Sequence, residues 1–446
     1  MLRAVGRHAR RLGVRAVVAI ISLGVMAFSS VGVSTAEEPA ATTAPPVNAA
    51  SIPCDGPNPA GLVPSQVGER YDLDALWEER HTGQGVRVAL IEVGTSVDTA
   101  VLDRYQECIG TAPVPFFAHQ VGSGPLPPPS GESMSDAEMI AGLAPGIERL
   151  DEFFSPGPES MATLLKEALN PNNTGGEHAD IVSISFNACE SAFAFGDQTE
   201  ALLEQAARSG VWVFKGAGDS GSSACAKHGD CSSAHTELAV DFVAASPFVV
   251  ATGGIMVPTG DPVETLGATW DWPNPRCGGT GGGVSTLFPA PSWQHEVPGG
   301  LTNAHRMVPD IASIAGEPGY QLLTPNNNTY EWAPTTGDSM TGPFYAAAMA
   351  ALRSDLVAHD VDPPKHLTPA LYEIASDPEL YQKVFRDVRD GNNDVFGAGC
   401  CGAGKGYDLT TGLGQVDFET LAAALLAPAP LTVTSAPLTA TPTFTG

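Results

Sequence analysis

The chain has 446 residues, with 22 Lys and Arg against 50 Asp and Glu, a formal net charge of −28 and 43% hydrophobic residues. That charge repels phosphate backbones and anionic lipid headgroups, which excludes nucleic acid and acidic membrane surfaces as natural partners. The apolar content can fill a large core and no long charged block interrupts it, which excludes wholesale disorder.

The first predicted element is an export signal. Residues 1–15 carry five arginines and no acid, residues 16–33 are an apolar run, and Ser34-Thr35-Ala36 supplies the small residues of a cleavage site. The competing reading is an uncleaved anchor, because an 18-residue apolar run is about the lower limit for a membrane span. Cleavage after Ala36 would take the net charge from −28 to −33. A Pro/Ala-rich linker, 37–52, follows. All eight cysteines lie beyond it, and an even count in an exported chain favours disulfides over a zinc site, for which no Cys-x-x-Cys with matched histidines exists. Cys225 and Cys231 are spaced to close a small loop, and the adjacent Cys400 and Cys401 are expected to seek separate partners.

From residue 53 to 426 the pattern is that of one α/β domain. Continuous apolar, β-branched runs at 86–91, 181–186, 211–214 and 248–251 read as strands buried on both faces. Helical patterns at 136–143, 161–169 and 199–209 alternate with them, which predicts a mostly parallel central sheet with helices on both faces. Gly/Pro-rich stretches at 122–131, 258–283 and 318–337 read as loops, and 427–446 as a flexible Pro/Thr/Ala-rich tail.

The strongest chemical signal is Thr336-Gly337-Asp338-Ser339-Met340-Thr341-Gly342-Pro343, which runs into an Ala-rich apolar helix. A serine at a helix entrance sits where free N–H groups and the helix dipole favour a developing anion, although an ordinary N-cap serine has the same pattern. A serine nucleophile needs a base, yet none of the ten histidines is followed by Gly-Ser or Gly-Thr, and the first strand ends Ile91-Glu92-Val93-Gly94 without an aspartate. Instead Glu132 and Asp136 stand four apart in a helical segment, so both carboxylates share one face and raise at least one of their pKa values.

Together these segments resemble the sedolisin family of serine-carboxyl peptidases, which have a subtilisin-like fold with glutamate in place of the histidine. The resemblance runs from about residue 62 to about residue 424. It is carried by Gly83-Gln84-Gly85-Val86 and the strand after it, the Glu132 helix, Ala179-Asp180-Ile181-Val182-Ser183-Ile184-Ser185-Phe186, Gly218-Asp219-Ser220-Gly221, Gly281-Gly282-Gly283-Val284-Ser285, Arg306-Met307-Val308-Pro309-Asp310 and the Ser339 motif. It implies a secreted, monomeric, acid-acting peptidase of protein or peptide substrates. Ser339 would be the nucleophile, Glu132 its base, Asp136 the residue orienting Glu132, and Asp219 the protonated donor at the oxyanion hole. It also implies one structural calcium ion in a C-terminal loop region, with carboxylates from Asp387 and Asp408 and main-chain carbonyls from Val388, Gly404 and Gly406.

Three departures stand beside the resemblance. Only about sixteen residues separate the expected cleavage point from Pro53, too few for the family's long propeptide. Asp338 replaces the usual Thr before the nucleophile, putting another carboxylate beside Ser339. Asn187 stands where Gly is usual. The alternative function is therefore a catalytically impaired pseudo-peptidase acting as an extracellular binding module.

Overall fold

The computed structural model describes residues 48–427 apart from 55–60, 95, 126–130, 157–159, 193–195, 258–266, 273–276 and 327–328. The expected signal and tail lie outside these residues. Seven strands form the main path of the central sheet: β1 (Arg87–Val93), β2 (Phe116–Gln120), β3 (Arg149–Ser155), β4 (Ile181–Ile184), β5 (Trp212–Gly216), β6 (Val250–Met256) and β7 (Ile311–Ile314). They lie in the order β7-β6-β5-β4-β1-β3-β2 and all pair in parallel, with the two-residue strand Ala268–Thr269 added antiparallel to β6.

Parallel strands are buried on both faces, and their alternation divides the core in two. Val88, Leu90, Leu150, Ile181, Trp212 and Phe214 point into one apolar cluster, while Ala89, Ile91, Phe153, Val182, Ile184 and Val213 point into the other. The first cluster is covered by α1 (Thr99–Ile109), α2 (Gly131–Leu143), α5 (Thr341–Ala358), α6 (Leu367–Ser376) and α7 (Phe418–Leu426). The second is covered by α3 (Met161–Ala168) and α4 (Gly196–Ser209). Helices α2 and α5 are buried almost all round, which is why their apolar residues show no single stripe.

The structure corrects several expectations. The stretch 318–337, read as a Gly/Pro-rich loop, holds an antiparallel hairpin, Tyr320–Asn326 with Thr329–Thr335, whose Leu322 and Leu323 are buried. What was missed is the strand pairing. Ile52, placed in the linker, is buried in the first cluster, and its carbonyl accepts from Arg104 Nε at 2.9 Å. The disulfides are Cys54–Cys108, Cys189–Cys225, Cys231–Cys277 and Cys400–Cys401. Cys225 and Cys231 therefore pair with residues distant in sequence, and the adjacent Cys400 and Cys401 pair with each other. Sequence spacing does not report which Cβ atoms the fold brings within bonding reach. No described helix is long and apolar enough to cross a membrane.

Candidate active site

In an open parallel sheet the carboxyl ends of the strands face a crevice where the strand order reverses, and the expected catalytic residues collect there. Glu92 lies near the end of β1, Ser185 directly after β4 and Asp219 in the turn beyond β5. Glu132 occupies the first turn of α2, Asp136 the next turn, and Ser339 a single 3-10 turn, Asp338–Met340, that leads into α5. Gly337 before it has φ 140, and a Cβ there would stand 3.2 Å from Ser339 Oγ and 3.6 Å from Asp219 Oδ1. Glycine thus meets both a backbone requirement and the close approach of two functional side chains.

Ser339 is not spent on capping. The N-cap of α5 is Met340, and neither the 3-10 turn nor α5 has a side-chain cap. The serine hydroxyl is instead turned towards the Glu132 carboxyl, whose Oε1 has no hydrogen-bond partner. Burial pushes the Glu132 carboxyl up to about 7; the Ser339 hydroxyl opposes the rise, the Asp219 charge adds to it and Lys215 lowers it. This is the mutual geometry of a nucleophile and its base.

Asp136 is fully buried and feels the charge of Glu132, but its hydrogen bonds run the other way, to the Ser185 hydroxyl and to Glu92. Burial first, then the Glu132 charge, holds the Asp136 carboxyl well above the usual carboxylate range. Glu92, buried in turn, is raised for the same reason, with the Asp136 charge the next cause after burial. Beyond it Glu152, on β3, accepts from Ser96 Oγ at 2.8 Å and from the Val97 amide at 3.1 Å, and burial raises it to about 7. A row of buried carboxyls thus leads inward from Ser339 through Glu132 and Asp136 to Glu92. Protons held along it keep neighbouring acids from repelling one another.

Asp219 does not serve its own turn. Its Oδ1 accepts the Asp338 amide at 2.7 Å and its Oδ2 accepts Asn187 Nδ2 at 3.2 Å. The Asn187 carbonyl oxygen in turn accepts from Lys215 Nζ at 3.2 Å. Lys215 is 1% exposed, and its ammonium also donates to the Gly216 carbonyl at 2.6 Å and lies 3.7 Å from Asp241. Asp338 is buried with its carboxylate turned to the Gly218 amide at 2.7 Å and the Thr280 hydroxyl at 3.1 Å. Burial and then the Asp219 charge hold Asp338 well above the usual range, against the pull of the Gly218 amide and Lys215.

The structure therefore brings Ser339, Glu132, Asp136 and Asp219 to one crevice. Sequence reasoning missed Glu92, Glu152 and Lys215 as neighbours of that crevice. The signal was a lone charge or charge pair inside an apolar strand, which a buried strand tolerates only with partners.

The second expected site lies apart from the crevice. Asp387 and Asp408 are both nearly buried. Asp387 Oδ2 accepts the Gly406 amide at 3.0 Å and Asp408 Oδ2 the Gly404 amide at 2.9 Å, so the glycine loop wraps both carboxylates, and Val388 is buried beneath. Burial raises the Asp408 carboxyl, while the Gly404 amide and the Thr410 and Thr411 groups oppose the rise. The cation paired with this set is Arg389, exposed and 2.7 Å from Asp387. Two sequestered carboxylates in one glycine loop, with a single exposed guanidinium beside Asp387, fit a hard divalent cation.

No family model matches the chain. Among curated proteins it is 32% identical over 387 residues to kumamolisin of Bacillus sp. (strain MN-32), a match covering 82% of this chain and 64% of that protein. It is 28% identical over 378 residues to sedolisin of Pseudomonas sp. (strain 101), covering 81% and 61%, and 25% identical over 391 residues to tripeptidyl-peptidase 1 of Canis lupus familiaris, covering 82% and 65%. The chain thus spans somewhat under two thirds of the length of these relatives. Among solved structures, Pseudomonas sedolisin, described as a serine-carboxyl proteinase, matches with a TM-score of 0.67 at 24% identity over 82% of this chain and 97% of that one, a likeness of fold. With the sheet order, the Ser339 turn and the Glu132 helix in place, the chain belongs to the sedolisin family of serine-carboxyl peptidases.

Proposed function

We propose that the chain is a secreted, acid-acting serine-carboxyl peptidase that cleaves protein or peptide substrates. The observation that carries this reading is the convergence of Ser339, the Glu132 carboxyl and Asp219, with Ser339 acting on the Glu132 carboxyl and Asp219 holding the turn of Ser339 by the Asp338 amide. Ser339 Oγ attacks the scissile carbonyl carbon as its proton passes to Glu132. The resulting oxyanion takes a hydrogen bond from the protonated Asp219 carboxyl. Glu132 then gives its proton to the departing amine, and the acyl-serine is hydrolysed by a water that Glu132 deprotonates. Asp136, hydrogen-bonded to Ser185 and Glu92, holds a proton behind Glu132 and fixes the helix turn that presents it.

The productive form has Glu132 ionised and Asp219 protonated. With Glu132 raised to about 7, its base form declines as the pH falls, which sets the acid limb of the activity profile. Activity in acid is what the likeness to the serine-carboxyl peptidases supports. The pseudo-peptidase alternative drew on Asp338, whose carboxylate is bound to Gly218 and Thr280 and leaves Ser339 free to meet Glu132.

Asp387 and Asp408, with the carbonyls of Val388, Gly404 and Gly406, would hold one calcium ion, which supplies charge neutralisation to a loop remote from Ser339. The four disulfides and the expected signal support an extracellular setting. The test is digestion of a denatured protein from about pH 3 to pH 8 with products identified by mass. Cleavage in acid that disappears in Ser339→Ala is the expected result. Undiminished cleavage by Ser339→Ala, or none by the wild type at any pH, overturns the proposal.

A further inference from the structure

Helix α5 carries the Ser339 turn at its start, and its 18 residues place the other end about 27 Å away. A cluster unrelated to the crevice gathers at that far end. Asp355, in the last turn of α5, is 2% exposed. Its Oδ1 lies 2.7 Å from His81 Nδ1 and 3.1 Å from His359 Nδ1, and Glu79 Oε2 lies 4.0 Å from the same His81 nitrogen. Glu79 and His81 come from the segment just after the short helix Asp74–Glu78, so the cluster ties the front of the domain to the end of α5.

Two atoms in this cluster are unsatisfied. Asp355 Oδ2 is buried with no hydrogen-bond partner, and His81 Nδ1, also buried, makes no hydrogen bond although it approaches Asp355 Oδ1 to 2.7 Å. A carboxylate oxygen orphaned in this way bears the desolvation cost of a charged group with no compensating bond. It also sits at a helix C-terminus, where the carbonyl ends favour positive charge and disfavour a carboxylate. A cation coordinated between Asp355 and His81 removes both penalties. One ligand atom each from Glu79, His81 and Asp355 lies within 4.8 Å of the others, a span that a single ion can bridge.

We propose that Glu79, His81 and Asp355 form a divalent transition-metal site, of the zinc class, with His359 at its edge. Imidazole nitrogen with carboxylate oxygen is the donor set of zinc and its neighbours, whereas calcium and magnesium take oxygen alone. Three protein ligands leave a position for water or for a small adjustment of His359, which stands one helical turn beyond Asp355. The site is distinct from the Asp387 and Asp408 loop in both residues and donor chemistry.

The test uses the full chain at about pH 7.5 with calcium saturating, so that the oxygen-only loop is already filled. Cobalt(II) is titrated in and its visible absorption followed, then displaced by zinc. One equivalent of bound cobalt is expected, with zinc raising the melting temperature of the wild type. His81→Gln should weaken binding at least tenfold and abolish the thermal shift, and the exposed Glu79→Gln should weaken it less. Because Asp355 is buried and its substitution can unfold the end of α5, the His81 and Glu79 variants decide the outcome. A wild type that binds no cobalt, or a His81→Gln variant that binds it as tightly, overturns the proposal and leaves His–Asp ion pairs alone at this end of the helix.

Discussion

The main-chain amide of Asp338 donates to Asp219 Oδ1 at 2.7 Å, and the carboxylate of Asp338 receives the amide of Gly218, also at 2.7 Å. Each aspartate thus holds the backbone of the other's loop, locking the Ser339 turn to the turn that presents Asp219. The residue that departs from the family's usual Thr is a clasp between the two halves of the site. Because burial favours the uncharged form of its carboxyl, an amide can stand in for it. Asp338→Asn should keep kcat/KM within about threefold in acid, whereas Asp338→Ala, leaving the Gly218 amide unpaired, should lose about 1–3 kcal/mol of stability in urea unfolding.

Lys215 offers a separate test of the oxyanion side. Its ammonium lowers the Glu132 pKa and orients Asn187 toward Asp219. In Lys215→Met the base should become harder to ionise, so the acid limb of the kcat/KM profile moves to higher pH by roughly half a unit or more. A purely structural lysine would lower activity equally at every pH.

Stability should fall as the pH rises. Burial raises Glu132 and Glu152 to about 7 and Glu200 to about 8, so the folded chain binds protons that the unfolded chain has released. Stability from these groups is complete below the unfolded carboxyl value and is lost as the pH climbs through the folded values. The melting temperature at pH 8 should lie at least about 5 °C below that at pH 4.5. A maximum at neutral pH in calorimetry would contradict this.

Chelation should act on the C-terminal loop and not on the crevice. Removing calcium from the full chain should lower the melting temperature by several degrees, as expected for a ligand worth about 2.7 kcal/mol at a hundredfold excess over its Kd. In Asp408→Asn that response should vanish while the Ser339 variants keep it.

The strands 86–91, 181–186, 211–214 and 248–251 were legible because a strand buried on both faces must be continuously apolar, and their structural counterparts are β1, β4, β5 and β6. The helix of Glu132 was legible in its core, 136–143, though its first turn begins at Gly131. The hairpin Tyr320–Asn326 with Thr329–Thr335 was not, because Pro325 and three asparagines carry the local signal of a loop whatever pairs beside them.

By itself the sequence determined the fold class, the family motifs and the four residues set at the crevice, since each depends on local pattern and chain order. Only the tertiary structure decided which cysteines meet, that Asp136 bonds Glu92 and Ser185, and that Lys215 reaches Asp219 through Asn187. Those contacts join residues distant in sequence, and their energies arise from burial, which raises the cost of every unpaired charge and belongs to the packed protein and not to any segment of it.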